Sequence, residues 1–331
     1  MRVSFISFMF AALMLCISRP TTMAACDTCG CSFNVRRTQG QGSSGNMIIT
    51  PTATTLGAGH ASAGFLFEVQ RVNSIPAEDA HALNDDEGHD VHGKSHEEYY
   101  NLSAGYGVLD NLDIFITAPI VSKTSIQIED EGALGRKDTA TGMGDLRVTG
   151  KYRFWTKGVD AALWVGVKAP TGATAKHNSS GEKFEPELQP GLGSWDLMTG
   201  VTASRGFADH LTVATSFQYV TRGEGAQEEK LGDVFHGNWG VSYALRPFGS
   251  HPNLSAVLEL HNEWALRDHS RGQDRVWDSG GTTVLLSPGL SMEVTENISA
   301  FWAMPFPVYQ NLGGQHEEVK YEIISGISWH F

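Results

Sequence analysis

Apolar and polar residues alternate along much of this chain, and this period of two restricts the folds that the chain can adopt. Between 146 and 154, the apolar set Leu146, Val148, Gly150, Tyr152 and Phe154 alternates with Arg147, Thr149, Lys151 and Arg153. Similar alternation occurs at 211–219, 254–261 and 298–306. A period of two predicts β-strands with one apolar and one polar face. A soluble antiparallel sandwich gives the same pattern, so the period alone leaves two architectures open.

The connections between these strands favour one of the two architectures. Tight joints are predicted near 109–111, 156–158, 207–209 and 295–297. Long polar loops are predicted near 73–96, 123–143, 172–193, 222–232, 267–278 and 309–318. Short turns at one end and long loops at the other are typical of outer-membrane barrels. The sequence therefore predicts an all-β, antiparallel transmembrane barrel over 59–331, with about twelve strands and both termini on the periplasmic side.

The last strand carries a second membrane signal. Counting back in twos from the final residue gives an apolar and aromatic series: Phe331, Trp329, Ile327, Ile323 and Tyr321, interrupted only by Ser325. This stripe resembles the signal by which outer-membrane barrels are recognised for insertion. We therefore expect the barrel-assembly machinery and outer-membrane lipid as partners.

The beginning of the chain predicts export. Residues 1–25 combine a basic start, a short apolar stretch and small residues before Cys26, which is typical of a secretory signal peptide. Lipoprotein processing with acylation of Cys26 is an alternative. Residues 26–58 are then a periplasmic N-terminal segment of a protein in the Gram-negative outer membrane. A barrel of this size encloses a narrow water-filled path or is plugged by such a segment.

The polar strand faces are expected to line the lumen. The candidate lining residues are Arg147, Lys151, Arg153, Lys168, Glu259, His261 and Glu263. The four cations fall on neighbouring predicted strands and would form a local positive strip. Such a strip favours small anions or aromatic acids as solutes.

Two other classes of function are disfavoured. The chain has 24 Lys and Arg against 37 Asp and Glu, a formal charge of −13, which argues against a nucleic-acid partner because phosphates require a basic surface. No serine motif marks a nucleophile. A lumenal row of polar side chains accounts for Glu259, His261 and Glu263 without catalysis, so the chain is not expected to be an enzyme.

Four segments carry a resemblance to a known family. They are 141–155 (TGMGDLRVTGKYRFW), 165–172 (VGVKAPTG), 188–196 (LQPGLGSWD) and the closing strand. They resemble the outer-membrane transporter family called "Putative MetA-pathway of phenol degradation", over most of the chain from about residue 45. The matching motifs are strand and turn signatures. The resemblance implies passage of small molecules across the outer membrane and does not name a solute.

Two clusters could bind a transition metal such as zinc, copper or nickel. Cys26, Cys29 and Cys31 have a spacing that suits a soft metal, a local disulfide or a lipidated end. A predicted loop carries His81, His89, His92 and His96 among carboxylates, which are sensible ligands or simply a solvated loop. A metal-handling or redox-partner protein is therefore one alternative to a channel, and a plugged structural or anchoring barrel is another.

Overall fold

The computed structural model describes residues 47–73, 92–128, 134–269, 279–313 and 318–331. These residues form strands β1 Ala61–Val72, β2 His92–Leu109, β3 Leu112–Ile128, β4 Leu134–Met143, β5 Arg147–Trp155, β6 Asp160–Lys168, β7 Asp196–Phe207, β8 Leu211–Arg222, β9 Val234–Ala244, β10 Asn253–Ala265, β11 Gly281–Glu293, β12 Ile298–Ala303, β13 Phe306–Leu312 and β14 Val319–His330. Within the same ranges, no helix is long and apolar enough to cross a membrane. The predicted signal peptide lies outside the described residues.

The strands close into one antiparallel barrel. Most strands pair with their neighbours in the chain, and β14 pairs with β12 and, to close the sheet, with β1. Both β4 and β5 pair with β3, and both β12 and β13 pair with β11. Each of these two couples occupies one position in the wall, so the described strands make the twelve-stranded barrel that the sequence predicts.

The two ends of the barrel differ as expected. Five connections of two to eight residues join β2–β3, β5–β6, β7–β8, β9–β10 and β11–β12 at one end, here called the short-turn end. At the opposite, long-loop end, the connections β1–β2, β6–β7, β8–β9 and β10–β11 have 11 to 27 residues. Three-residue 3₁₀ helices lie in two of these loops, at Pro186–Leu188 and Ala226–Glu228.

Four sequence-based boundaries were wrong. The loop predicted at 309–318 begins later, since β13 extends to Leu312. The predicted loop 123–143 is mostly strand, because β3 and β4 continue beyond the apolar part of the wall as a polar ladder that pairs Thr124 with Thr139. The loop predicted at 73–96 ends earlier, since β2 begins at His92. The continuous strand predicted at 298–306 is interrupted between β12 and β13, where Pro305 has no N–H to donate to a ladder. Polar ladders outside lipid lack the apolar face on which the period-of-two argument depends.

The alternation of burial along the strands gives the wall its two surfaces. On β10, Leu258 is 51% exposed on the outside, whereas the adjacent Glu259 is 1% exposed on the inside. On β5, Val148 and Tyr152 face outward in the same way, and Lys151 faces inward. Apolar side chains outside and polar side chains inside are the arrangement of a barrel embedded in lipid. The predicted faces of β5, β8 and β10 are confirmed.

Glycines in the wall make room for large inward side chains. A Cβ atom on Gly200 of β7 would lie 2.7 Å from the indole nitrogen of Trp164 on β6, and closer still to the ring carbons. The indole therefore covers Gly200, which is the direct cross-strand partner of Trp164. In the next inward row, Gly166 accommodates Met198 in the same way. Trp164, Met198 and Val220 form a buried apolar cluster on the inner wall.

We expect Gly200→Ala to destabilise the barrel, because the rigid indole of Trp164 cannot move aside without leaving this cluster. Overpacking of this kind costs about 1–3 kcal/mol. Urea unfolding of the refolded protein in detergent measures the change. Gly150→Ala is the matched control, since the nearest atoms to a Cβ there are 4.0 Å away. Equal midpoints for the two variants would contradict this account of Gly200.

Candidate functional site in the barrel lumen

Residues 47–58 run through the interior of the barrel. At the short-turn end, the amide of Ala58 donates to Asp110 in the β2–β3 turn, and the amide of Leu56 donates to the carboxylate of Asp113 on β3. Farther inside, the amide of Ala53 donates to Ser204 on β7. The chain therefore crosses the lumen from the wall at β3 to the wall beyond β7. We call residues 47–58 the lumenal segment.

Glu259 of β10 binds the lumenal segment at its inner end. The amide of Ile49 lies 3.1 Å from both carboxylate oxygens of Glu259, and the amide of Thr50 lies 2.7 Å from one of them. The carboxylate is 1% exposed. Hydrogen bonds to an ionised acceptor are roughly twice as strong as neutral ones. Glu259 therefore holds two successive main-chain N–H groups that would otherwise be buried without an acceptor.

Lys151 and Asp113 bind the segment near its other end. Lys151 of β5 donates to the carbonyl of Thr54, and its ammonium lies 3.7 Å from the Asp113 carboxylate. The two residues are direct cross-strand partners. Because Asp113 also accepts from Leu56, this pair holds both a carbonyl and an amide of the segment.

Apolar contacts hold the inner end of the segment, beside the Glu259 contacts. Met47, Ile48 and Ile49 pack against inward apolar side chains of five strands: Leu66, Ala214, Val257, Ala303 and Ile324. Two wall glycines leave space for them. A Cβ on Gly289 would lie 2.5 Å from Ile48, and one on Gly240 would lie 2.8 Å from the sulfur of Met47. At the level of Met47, Ile48 and Ile49, the lumenal segment occupies the space that an open pore would need.

A row of charged side chains crosses the inner wall nearer the long-loop end. Cross-strand pairing places Arg147, Lys168, Asp196 and Arg222 side by side on β5 to β8. Lys168 makes ion pairs with Asp196 at 2.8 Å and with Asp145 at 3.3 Å. Asp145 also accepts from the amides of Gly172 and Leu192, so it fixes both ends of the β6–β7 loop. A cavity of about 40 Å³ lies beside Asp145, Arg147 and Lys168.

The lumen candidates from the sequence face inward and fall into four groups by their contacts. Arg147 and Lys168 belong to the charged row, whereas Lys151 and Glu259 hold the lumenal segment. Arg153 donates to the carbonyl of Asp110 near the short-turn end. The remaining two lie on β10, where His261 is 2.9 Å from Asn238 and Glu263 is 3.4 Å from His236.

Acids that the sequence pattern does not single out face these cations. Asp113 and Asp196 are cross-strand partners of Lys151 and Lys168, and Asp145 lies in the break between β4 and β5. The predicted positive strip is therefore largely charge-balanced. Asp113 and Asp196 stand at strand ends, where an acid is expected in a turn, and only the strand register shows that they face the lumen.

The metal-binding predictions mostly fall outside the described residues. Cys26, Cys29, Cys31, His81 and His89 all lie there. His92 and His96 belong to β2 rather than to a loop, and the ring of His96 lies 3.8 Å from the carboxylate of Glu98. Among the described residues, no group of three or more His, Cys, Asp or Glu side chains could hold a metal ion. Metal capture stays a prediction of the sequence.

The insertion stripe lies on the closing strand. Glu322 and Ile324 of β14 are buried on the inside, so the alternate residues Tyr321, Ile323, Ile327 and Trp329 face outward. β14 pairs with β1 along almost its whole length. Recognition of this stripe by the assembly machinery stays a prediction.

Three acids from three loops meet at the long-loop end. Burial, reinforced by the nearby charges of Glu185 and Asp268, raises the pKa of Glu229 to about 7. The β8–β9 and β10–β11 loops are joined there by paired main-chain hydrogen bonds between Lys230 and His269. The raised pKa means that the folded loops disfavour ionised Glu229. This penalty is absent below about pH 4.5, grows as the pH rises and is complete above about pH 7.

We therefore expect the packing of the 223–233 loop to weaken as the pH rises from about 5 to about 8. Glu229→Gln should remove this dependence, because the amide does not ionise. Amide hydrogen exchange in the loop, expressed as the ratio of wild type to variant at each pH, cancels the intrinsic effect of pH. Glu224→Gln, at an exposed position of the same loop, is the control. A ratio that does not change with pH would contradict the role of Glu229.

A family model and a solved outer membrane channel match most of this chain. The family described as "Putative MetA-pathway of phenol degradation" matches residues 85–308. The COG4313 outer membrane channel from Pseudomonas putida F1 is similar in structure, with a TM-score of 0.62 and 13% identity over 84% of this chain and 98% of that one. The translocator domain of the autotransporter NalP from Neisseria meningitidis has a TM-score of 0.44 and 11% identity, over 83% and 89% of the two chains. No curated protein sequence matches significantly.

Proposed function

Because the chain belongs to the family described as "Putative MetA-pathway of phenol degradation", we propose that it is an outer-membrane channel for small solutes whose lumen is closed by residues 47–58. The closed barrel, with an apolar exterior and a polar interior, supports a path through the membrane. The similar structure from Pseudomonas putida F1 is itself named as an outer membrane channel. The short-turn end then faces the periplasm, as in barrels of this class.

The observation that carries the proposal is the way in which the wall holds the lumenal segment. Glu259, Asp113 and Lys151 bind main-chain groups of the segment from opposite sides of the lumen. Displacing residues 47–56 would break these hydrogen bonds and expose Met47, Ile48 and Ile49. The closed form is thus stabilised by a few separable contacts, and their loss would open the barrel without breaking any strand pairing.

We expect Glu259→Gln to increase the open time in single-channel recordings of the refolded protein in planar bilayers. A neutral amide replaces the ionised acceptor of two amides, and hydrogen bonds to charged groups contribute about 1.5–3 kcal/mol each. If the variant loses half the free energy of one such hydrogen bond, the population of the open state should rise several-fold. Glu296→Gln, in the exposed β11–β12 turn, is the matched control.

Removal of residues 26–58 should give steady conductance. If Glu259→Gln and the truncated protein both remained silent, the channel proposal would fail and a structural barrel would be favoured.

The charged row leads to an expectation for ion selectivity. Since acids face Lys151 and Lys168, the preference for small anions suggested by the sequence should be weak in the opened channel. We expect a chloride-to-potassium permeability ratio within about twofold of one. Asp196→Asn should shift this ratio toward chloride, because it removes the acid between Lys168 and Arg222. Asp209→Asn, in the exposed β7–β8 turn, should not. A strongly anion-selective wild type would contradict the charge balance.

A further inference from the structure

Three inward side chains on β6 and β8 have hydrogen-bond donors without acceptors among the described residues. They are Trp164, Gln218 and Arg222, and each is 4% exposed. The donors are the indole Nε1 of Trp164, the amide Nε2 of Gln218, and Nε and Nη2 of Arg222. A buried donor without an acceptor destabilises the folded protein. Four such nitrogens on one part of the wall need an acceptor from outside the described residues.

The strand register brings two of these side chains together. Trp164, Gly200 and Gln218 are successive cross-strand partners on β6, β7 and β8. Because the indole of Trp164 extends over Gly200, it covers the strand that separates it from Gln218. The indole N–H and the Gln218 amide therefore lie in the same inward row, on either side of Gly200.

The surface beyond this row is apolar. Met198 and Val220 occupy the next inward positions of β7 and β8 and pack with Trp164 in one buried cluster. Arg222 follows two residues after Val220, about 13 Å along β8 from Gln218 between the Cα atoms. The patch therefore has an apolar floor with unpaired donors at its two margins.

The acids around Arg222 are engaged elsewhere. Asp196 pairs with Lys168 and accepts from Ser194 and Gly223. Asp233 accepts from the amide of Arg222 and from the hydroxyl of Tyr219, and Asp268 accepts from the amide of Gly232. Glu263 lies beside His236.

These carboxylates are near enough to act on the charge of Arg222, yet none accepts a hydrogen bond from its Nε or Nη2. Nε and Nη2 of the guanidinium thus lack an acceptor, although the guanidinium does not lack counter-charge.

The patch lies on the long-loop side of the lumenal segment. On β8, the segment contacts the level of Ala214, whereas Gln218 and Arg222 are four and eight residues nearer the long-loop end. A molecule that enters from the long-loop side would reach the patch before the closed segment. A solute that enters from the long-loop side could therefore bind at this patch while the segment still closes the lumen.

We propose that Trp164, Gln218 and Arg222 form a solute-binding site for a small, uncharged molecule with an apolar body and carbonyl oxygens as hydrogen-bond acceptors. The apolar body rests on Met198 and Val220, and the oxygens accept from the unpaired donors. An uncharged acceptor fits better than an anion, because four carboxylates already balance Arg222. This inference deepens the proposed channel function, on which it rests for the direction of access.

The test compares three probes that share a phenyl ring. Acetophenone carries an uncharged carbonyl, benzoate carries a charged acceptor, and ethylbenzene carries no acceptor. Isothermal titration calorimetry of the full-length protein in detergent, with protein-free micelles as the blank, measures their binding. We expect saturable binding of acetophenone, at least about fivefold weaker binding of benzoate, and no saturable binding of ethylbenzene.

The variants assign the binding to the site. Arg222→Gln and Trp164→Phe should each weaken acetophenone binding about tenfold, the loss of one hydrogen bond worth about 1.4 kcal/mol. Trp164→Phe keeps an aromatic ring over Gly200 and removes the N–H. Arg205→Gln is the matched control, since Arg205 is exposed beside Phe207 at the short-turn end. Circular dichroism and heat-modified mobility check that each variant is folded.

Two outcomes would overturn the site. If acetophenone bound equally to wild type and to folded Arg222→Gln and Trp164→Phe, or did not bind to wild type, only water would satisfy these donors. If benzoate bound more tightly than acetophenone, the assignment to an uncharged solute would be wrong. Neither measurement requires an open pore. Failure here therefore leaves the conductance of Glu259→Gln to decide the channel proposal, and a silent channel leaves this binding site untouched.

Discussion

The pairing of β1 with β14 is the contact on which the rest of the structure depends. In hydrocarbon, every backbone N–H and C=O must be paired, and strands achieve this only when the sheet has no free edge. Eleven residues of β1, from Ser62 to Val72, pair with β14. Once the sheet is closed, the alternation of side chains decides the remainder, because every second residue is directed into a confined interior. The apolar exterior and the polar interior are two results of one constraint.

Closure of the sheet also confines polar side chains to an interior with little water. Polar side chains that face a narrow lumen lose water and need partners inside the protein. Lys168, Asp145 and Asp196 satisfy one another, and Glu259, Asp113 and Lys151 are satisfied by the main chain of the lumenal segment. The segment is thus part of the structure of the wall as well as an obstacle. Trp164, Gln218 and Arg222 are among the described inner-wall groups that these two arrangements leave with unpaired donors.

The sequence predicts the features that depend on local pattern and misses those that depend on register. An apolar period of two correctly located β5, β8 and β10 and their lipid-facing sides. The polar continuation of β3 and β4 has no apolar face, so the period of two predicts a loop there. The pairing of Lys151 with Asp113 depends on which residues of β3 and β5 are opposite each other, and no local pattern contains that information. The unpaired donors of Trp164 and Arg222 depend on the same register.

The contacts of the lumenal segment also show where control of the barrel resides. Glu259, Asp113 and Lys151 bind amides and a carbonyl, which every residue except proline can supply in the same way. The side chains whose chemistry matters for holding the segment are therefore mostly those of the wall. The apolar residues Met47, Ile48 and Ile49 are the exception, because their size must match Gly240, Gly289 and the inward apolar groups. The strength of closure can accordingly be tuned by single wall residues, whereas the position of the segment is fixed by the fit of three apolar side chains.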